Sequence, residues 1–524
     1  MTPDLAIPAT GIQIGELTLA LLIPMALGLR HAQASLIRWL LAPVAALVGA
    51  TVLCAFAHLM PDRLTVDLTP GQHAALVLIG FAVLLLAGYA AGRLLARVTP
   101  TSTHLRGTQV IDAPKPRHHR LAQPASGLTL AGVSVPALDE TKHFKFIGTT
   151  GAGKSTAIRE VLRTALQRGD RAIIADPDGG YLKRFYDPYR GDEILNPFDE
   201  RTAAWDLFGE IREPYDVDQL ARSLIPNAAD ASGLPWDAYG RTFLAALLRR
   251  AHEDRNTHLG QLWREVAVAP IEDVRARVAG TPAQPFLEPG NEKMFGSIRS
   301  VATSSLAAFE HLHLPWAQPL SVRAWVQRAR LPSRILFLPY SASQIATLRS
   351  VISSWLRLAI FEAMNQPEGD QRLWFVIDEL DALGAIDGLK DALARLRKFG
   401  GRCVLGFQSI GQVSALYGRG DAQTIVENCG NTLILRCSSS EGGGTAQFAS
   451  HLIGQREVLR RHESVSHSRD LKLFSGRRHR SRTVSTQPAT EWAVLPAEIE
   501  QLPDLRGILK LASRPDWCRV ALSL

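Results

Sequence analysis

Short apolar runs, each followed by a stretch with apolar residues at helical spacing, recur along the chain. The first run, 144–147, precedes a helical stripe that ends at Gly169. Further strands are predicted at 172–175, 335–338, 373–377, 403–407 and 432–436, and further helices at 344–365 and 388–399. Alternating strands and helices predict an α/β fold, doubly wound around a parallel-sheet core.

About 160 residues separate the strands that end at Ala175 and begin at Ile335, far more than the few residues that usually join such elements. Apolar residues at helical spacing fill much of this interval. We therefore expect an inserted all-α domain over 206–320, between the two parts of the sheet domain, 137–205 and 321–524. Whether these helices are more than a scaffold stays open, because no chemical motif lies among them.

A phosphate-binding loop follows the first strand. Residues 148–155 spell G-x-x-x-x-G-K-[ST] between an apolar run and an amphipathic helix. Backbone N–H groups of such a loop converge on a polyphosphate, Lys154 reaches the β and γ phosphates, and the Ser155 hydroxyl is a ligand for Mg²⁺. The expected nucleotide is ATP. The residues predicted to bind it are Gly148, Thr149, Thr150, Gly151, Ala152, Gly153, Lys154, Ser155 and Thr156.

Two acids end the apolar run 373–377. We expect Asp378 to hold the water shell of Mg²⁺ and Glu379 to polarise the water that attacks the γ phosphate. An Asp-Glu pair after a strand is by itself usually a solvated turn. Downstream of a complete phosphate loop it indicates the second half of an ATPase site, so hydrolysis is expected as well as binding.

Two further predictions of site residues each have an alternative interpretation. Gln408 ends the strand 403–407 at the edge where ligands bind in open α/β sheets, and it either senses the γ phosphate or makes a structural amide hydrogen bond. Among Arg395, Arg397 and Lys398 one side chain could be a finger that reaches a neighbouring subunit's ATP, since a guanidinium stabilises charge on the transferred phosphoryl group. The alternative is a solvated helix face.

Two uncharged stretches near the N-terminus, 39–57 and 74–92, are each long enough to cross a hydrocarbon layer of about 30 Å as a helix. We predict a two-helix transmembrane anchor within 1–98, with spans at about 36–59 and 73–95. Basic residues before the first span and after the second place both ends in the cytoplasm. A cleaved signal peptide fits poorly, because the first long run starts late and is paired with another.

Two segments flank these spans. The apolar run 17–29 is short and is interrupted by Pro24, so we expect it to be interfacial or partly inserted, although a true third span would place the N-terminus outside. Residues 99–136 mix Pro, Ser, Thr, His and Arg without a long apolar period, which predicts a linker between the membrane and the folded body.

The charge of the chain is concentrated in one segment. The formal net charge is +8, and residues 456–482 contain nine Lys and Arg against three Asp and Glu. Arg477, Arg478, Arg480 and Arg482 could contact nucleic-acid phosphates without sequence preference, whereas the alternative is a solvated hairpin. Five cysteines without C-x-x-C spacing indicate neither a disulfide framework nor a zinc site. No H-E-x-x-H motif of a metalloprotease occurs.

Seven motifs together give a family resemblance. They are residues 146–155, 175–179, 195–199, 236–241, 375–380, 406–409 and 495–505. The chain resembles the type IV coupling proteins of the TraD/TrwB type, membrane ATPases of bacterial conjugation and type IV secretion. The resemblance runs nearly end to end, and the later motifs are narrower than the phosphate loop.

The resemblance implies a homo-hexameric ring with a RecA-like P-loop ATPase domain, anchored in the bacterial inner membrane with the bulk of the chain cytoplasmic. It implies delivery of single-stranded DNA with its relaxase to a type IV secretion channel. By position, Lys154, Ser155, Asp378, Glu379 and Gln408 match the nucleotide residues of the motor, and Arg397 matches the finger. An ATP-switched docking receptor for protein effectors stays open beside the DNA motor.

Overall fold

The structure, a computed structural model, describes most of the chain beyond residue 101. The described residues are 11–31, 39, 42–51, 82–83, 85–92, 102–112, 127–227, 233–255, 258–328, 333–369, 371–440, 443–469 and 478–523. They fall into two compact units. The smaller unit combines 1–104 with 458–489, and the larger unit combines 105–457 with 490–524.

A ten-stranded sheet forms the centre of the larger unit in the part of the chain that is described. Its strands, in chain order, are β1 (Val110–Asp112), β2 (Phe144–Ile147), β3 (Arg171–Pro177), β4 (Glu193–Ile194), β5 (Ile335–Tyr340), β6 (Leu373–Ile377), β7 (Gly401–Phe407), β8 (Asn431–Ile434), β9 (Arg506–Lys510) and β10 (Trp517–Ala521). Across the sheet the order is β1-β10-β9-β8-β2-β7-β6-β3-β5-β4. All neighbours from β8 to β4 are parallel, and β9 is antiparallel to both of its neighbours. The predicted parallel α/β core is thus confirmed.

Helices cover both faces of this sheet. Those with eight or more residues are α1 (Lys154–Gln167), α2 (Pro214–Leu224), α3 (Leu234–Glu253), α4 (Leu259–Ala267), α5 (Ile271–Val278), α6 (Glu292–Ser305), α7 (Ile345–Met364), α8 (Leu389–Leu396), α9 (Ile410–Tyr417), α10 (Arg419–Asn428) and α11 (Gly444–Ile453). Shorter helices are Ala137–Glu140, Leu182–Phe185, Val322–Gln327 and Pro496–Glu500. Single 3₁₀ turns lie at Pro188–Arg190, Phe208–Glu210, Gln284–Leu287, Ala307–Glu310 and Arg397–Phe399.

The alternation of side chains along the strands produces two cores. In β6, Trp374 and Val376 belong to one cluster together with Ile158 and Val161 of α1. Leu373, Phe375 and Ile377 belong to the opposite cluster, which includes α7 and most apolar residues of α2 to α6. Because both faces of a doubly covered parallel sheet are buried, its strands read as continuous apolar runs, as the sequence shows.

The helices α2 to α6 occupy the interval 206–320. They share their apolar core with one face of the sheet and belong to the same compact unit as the sheet. A pair of two-residue strands, Ala204–Trp205 and Pro319–Leu320, joins the two ends of the interval side by side. The predicted domain boundaries stay a prediction, because a shared core does not define them.

The segment 99–136 contains short strands where the sequence suggests only a linker. Val110–Asp112 forms the edge strand β1 of the large sheet, and Thr129–Leu130 pairs with Val133–Ser134. Strands this short bury few side chains, so they show no recognisable alternation of apolar and polar residues in the sequence.

The smaller unit contains the helix Gly11–His31, and the strands Gln455–Arg469 and Arg478–Trp492 run into it from the larger unit. Apolar residues of that helix, among them Leu21 and Met25, are buried in small clusters with Ala42, Ala46 and Ala50. Among the residues described, no helix is both long and apolar enough to cross a membrane. Of the predicted spans, 36–59 is described only at 39 and 42–51, and 73–95 only at 82–83 and 85–92.

Candidate nucleotide site

The phosphate loop is held between two strands of the sheet. Gly148 N donates to Phe407 O at the end of β7 at 3.3 Å, and Thr149 N donates to Arg436 O after β8 at 2.8 Å. A Cβ at Gly148 would lie 2.9 Å from Leu435 Cβ, so the first glycine is required by close packing. The start of α1 follows Gly153, whose φ of 117° is a conformation that favours glycine.

Lys154 is directed back into the loop. Its Nζ donates to Gly148 O at 2.7 Å and to Thr149 O at 3.2 Å, and the side chain is buried. Burial lowers the pKa of Lys154, while Asp378 and Glu379 raise it. The ammonium group is therefore fixed at the centre of the loop, where a polyphosphate would provide stronger acceptors than the two carbonyls.

Ser155 and Asp378 meet, as predicted for the two halves of a magnesium site. Ser155 Oγ donates to Asp378 Oδ2 at 2.7 Å, and Tyr181 Oη donates to the same oxygen at 2.7 Å. Asp378 Oδ1 is buried and has no hydrogen-bond partner in the part of the chain that the structure describes. Mg²⁺ prefers oxygen ligands, and this pair offers a hydroxyl and a carboxylate with an unpaired buried oxygen. These residues therefore fit the ion that the sequence implies.

Glu379 and Gln408 form a second pair at the same edge. Gln408 Nε2 donates to Glu379 Oε1 at 3.2 Å, and Gln408 Oε1 accepts the Thr150 hydroxyl at 2.9 Å. Burial raises the pKa of Glu379, as do Asp378 and Asp381, whereas Lys154 and Gln408 lower it. A carboxylate with a raised pKa is a better proton acceptor for a water molecule than an ordinary surface glutamate.

These side chains line one cleft of about 400 Å³. Of the predicted residues it includes Thr150, Gly151, Gly153, Lys154, Ser155, Thr156, Asp378, Glu379 and Gln408. Gly148, Thr149 and Ala152 lie behind this lining, where the backbone of the first two is tied to the strand ends. The loop and the acids, more than two hundred positions apart in sequence, therefore form a single site.

Sequence reasoning missed several lining residues, among them Arg159, Asp178, Tyr181, Asp504 and Leu505. The turn after β3 contributes Asp178 and Tyr181, and the segment before β9 contributes Asp504 and Leu505. Leu505 N donates to Ala152 O at 3.0 Å, which places this late segment directly on the loop. The motif at 175–179 was a usable signal for Asp178, and the motif at 495–505 contains Asp504 and Leu505. Nothing local in the sequence indicates Tyr181.

Arg397 does not line the cleft. It lies exposed on the turn Arg397–Phe399 directly before β7, at the amino ends of the parallel strands, whereas the phosphate loop lies at their carboxyl ends. Burial lowers the pKa of the nearby His143 to about 4, with a smaller contribution from the charge of Arg397. Within one protomer Arg397 is a strand length away from the nucleotide cleft, so its role as a finger toward a neighbour stays a prediction.

Three of the four predicted DNA contacts lie on one long strand that enters the smaller unit. Arg478, Arg480 and Arg482 are on the strand Arg478–Trp492, and Arg477 lies outside the described residues. Their role in DNA binding stays a prediction.

Comparison with known proteins identifies the family. Residues 127–523 match the model of the type IV secretion-system coupling protein DNA-binding domain. Coupling protein TraD of Escherichia coli (strain K12) is 33% identical over 408 residues, which is 76% of this chain and 55% of TraD, so the chain spans about half the length of that relative.

Solved structures of the plasmid coupling protein TrwB are also similar. TrwB in complex with the non-hydrolysable ATP analogue ADPNP has a TM-score of 0.69 and 31% identity, over 81% of this chain and 95% of that one. TrwB in complex with ADP and Mg²⁺ has a TM-score of 0.69 and 31% identity, over 82% and 97% of the two chains. The predicted resemblance is confirmed, and the chain belongs to the family of type IV secretion-system coupling proteins.

Proposed function

We propose that the protein is an ATP-driven motor that couples single-stranded DNA with its relaxase to a type IV secretion channel. The observation that carries this proposal is the single cleft in which Lys154, Ser155, Asp378, Glu379 and Gln408 converge. A site for binding alone would not need a partly buried carboxylate such as Glu379 beside the phosphate position. Related TrwB structures that hold ADPNP, or ADP with Mg²⁺, support ATP and Mg²⁺ as the ligands here.

The cleft residues divide the work of hydrolysis. Lys154 exchanges its two carbonyl partners for phosphate oxygens, and Ser155 and Asp378 hold Mg²⁺. When bound, the ion neutralises phosphate charge. Glu379 accepts a proton from the attacking water, and Gln408 fixes the orientation of the Glu379 carboxylate through the 3.2 Å hydrogen bond.

Gln408 also connects this base to the phosphate loop. Because its amide binds Glu379 on one side and the Thr150 hydroxyl on the other, a phosphate that displaces Thr150 also changes the contacts of Gln408. This arrangement favours the sensor role over a purely structural hydrogen bond. It gives the motor a direct path from nucleotide state to the position of the base.

The cellular setting belongs to the same proposal. We propose a bacterial inner-membrane protein with a two-helix anchor, a homo-hexameric assembly and contacts with secretion-channel components. The family match and the uncharged stretches at 39–57 and 74–92 support this setting. The basic segment 456–482 supports a nucleic-acid partner, because nine cationic side chains against three acids favour phosphate binding at low salt.

Stimulation of ATP hydrolysis by DNA tests the motor. The purified full-length protein should hydrolyse ATP several-fold faster with single-stranded DNA at low salt, and the stimulation should decrease steeply as salt rises. A variant with Arg478, Arg480 and Arg482 changed to glutamine should keep its basal rate and lose the stimulation. Basal hydrolysis without any stimulation across a range of low salt would contradict the motor and favour a docking receptor that uses ATP as a switch.

A further inference from the structure

Tyr181 contributes an unexpected hydrogen bond to the metal side of the cleft. Its side chain is 1% exposed, and its hydroxyl donates to Asp378 Oδ2 at 2.7 Å. A buried tyrosine hydroxyl requires a partner, and a bond to a carboxylate is shorter and stronger than one between neutral groups. A phenol is protonated at neutral pH and the carboxylate has no proton to donate, so Tyr181 is the donor in this bond.

The two oxygens of Asp378 differ because of this contact. Oδ2 accepts hydrogen bonds from both Ser155 and Tyr181, whereas Oδ1 is buried and has no partner among the described residues. An unpaired buried carboxylate oxygen is costly unless a ligand compensates for it. The hydrogen bonds from Tyr181 and Ser155 therefore fix the rotation of the carboxylate, with Oδ2 held beside Ser155.

The turn after β3 holds Tyr181 in this position. The Asp176 carboxylate accepts the backbone N–H of Tyr181 at 3.1 Å and that of Leu182 at 2.6 Å, which closes the turn onto the sheet. The Arg159 guanidinium lies over the tyrosine ring, 5.8 Å from its centre. The backbone hydrogen bonds to Asp176 and the Arg159 guanidinium on one face of the ring thus hold the phenol in place.

We propose that Tyr181 is a positioning residue for the metal: its hydroxyl orients Asp378 so that one carboxylate oxygen is presented to the hydrated Mg²⁺ of a bound nucleotide. This role rests on the nucleotide site of the proposed function and adds a residue to it. Residues that hydrogen-bond a metal-binding carboxylate typically change metal affinity when they are removed, although they do not touch the ion.

Tyr181→Phe tests this role in the full-length protein, because it removes the hydroxyl and keeps the ring under Arg159. The probe is Mn²⁺, measured by its electron paramagnetic resonance signal in the presence of ADP. The variant should bind Mn²⁺ roughly tenfold more weakly than the wild type. ADP affinity measured in EDTA should stay within about twofold, because the hydroxyl that is removed donates to Asp378 and the ring is retained.

Tyr186→Phe is the matched control. Tyr186 lies on the same stretch of chain as Tyr181, but its ring contacts Phe337 and the Arg201 guanidinium instead of Asp378. This variant should keep the wild-type Mn²⁺ affinity. A double-mutant cycle with Asp378→Asn adds a second readout, since Tyr181→Phe should cause little further loss once the carboxylate is gone.

Three results would overturn the role of Tyr181. The first is an unchanged Mn²⁺ affinity in Tyr181→Phe. The second is a loss of ADP affinity in EDTA as large as the loss of Mn²⁺ affinity, which would indicate a general structural role. The third is full additivity of Tyr181→Phe with Asp378→Asn. A wild-type protein that binds neither ADP nor Mn²⁺–ADP would instead refute the nucleotide site itself, and the role of Tyr181 with it. The two failures are therefore distinguishable.

Discussion

Ser155 donates its hydroxyl hydrogen to Asp378 at 2.7 Å across 223 positions of sequence. The two residues follow different strands, β2 and β6, which β7 separates in the sheet. Because the carboxyl ends of parallel strands share one edge, a loop after β2 and an acid after β6 are brought to the same cleft. This relationship joins the two halves of the proposed ATPase site.

Replacement of Lys154 should weaken nucleotide binding and lower hydrolysis still further. In Lys154→Met the only ammonium at the centre of the described loop is lost, so affinity for Mg²⁺–ATP should fall at least roughly tenfold and hydrolysis roughly a hundredfold. Binding of a fluorescent ATP analogue and phosphate release measure the two effects. Lys183→Met removes an exposed lysine outside the cleft lining and should change neither. Normal hydrolysis by Lys154→Met would refute the site.

Replacement of Glu379 should separate binding from hydrolysis. Glu379→Gln keeps the shape of the side chain and loses the proton acceptor, so hydrolysis should fall by about 10²–10⁴ while Mg²⁺–ATP affinity changes little. Equilibrium binding and single-turnover hydrolysis of the same preparation provide the measurement. A wild-type hydrolysis rate in this variant would exclude Glu379 as the base.

Gln408 can be tested against its two partners. Gln408→Ala should lower kcat roughly tenfold with a smaller change in KM, because the hydrogen bond that orients Glu379 is lost. Thr150→Val removes only the other hydrogen bond of the amide and should have a weaker effect on kcat. Equal effects of both variants on KM alone would instead support a structural amide.

Mixing of subunits can test Arg397 as a finger. Since Arg397 lies a strand length from the cleft of its own protomer, Arg397→Ala should bind Mg²⁺–ATP normally and hydrolyse it poorly. In a mixed assembly with Glu379→Gln, some clefts combine an intact base with an intact arginine from the neighbour, so hydrolysis should partly recover. Lys398→Ala, a change at the next exposed position, is the control. No recovery would exclude the finger.

Replacement of Gly406 tests the packing of β7 against the backbone of Asp378. A Cβ at this position would lie 2.2 Å from Asp378 O, so Gly406→Ala must push β7 away from β6 and should lower the free energy of unfolding by about 1–3 kcal/mol or more. In Gly296→Ala, on the exposed face of α6, the added methyl group meets nothing within 4 Å, and helix propensity should raise stability by about 0.5–1 kcal/mol. Chemical denaturation measures both changes, and similar stabilities would contradict the packing argument.

The sequence predicts those parts of the site that depend on local patterns. The apolar runs identify β2 and β6, and the residues just after them, Gly148 to Ser155 and Asp378, are found where parallel topology requires. The contribution of Tyr181 could not be read in this way, because it depends on a turn that closes when the Asp176 carboxylate binds two backbone N–H groups. The spacing of motifs carries no information about such a contact.

The same limit applies to the edges of the sheet. Leu505 reaches the phosphate loop because it directly precedes β9, which pairs antiparallel with β8, and no local periodicity encodes that pairing. The edge strand β1 lies within a polar segment that predicts only a linker, since three residues are too few for a recognisable alternation. Long-range pairing, rather than local propensity, determines these features.

The late contacts of β2 have a consequence for synthesis on the ribosome. This strand pairs with β7 and β8, and the loop that follows it accepts a hydrogen bond from Leu505 N, so each of these partners is translated more than 240 residues after the loop itself. A nascent chain that has emerged only as far as α1 cannot form these bonds and exposes an apolar strand without neighbours. ATP can therefore act as a folding ligand only after Leu505 has emerged from the ribosome, and until then the loop lacks the partners that hold it in place.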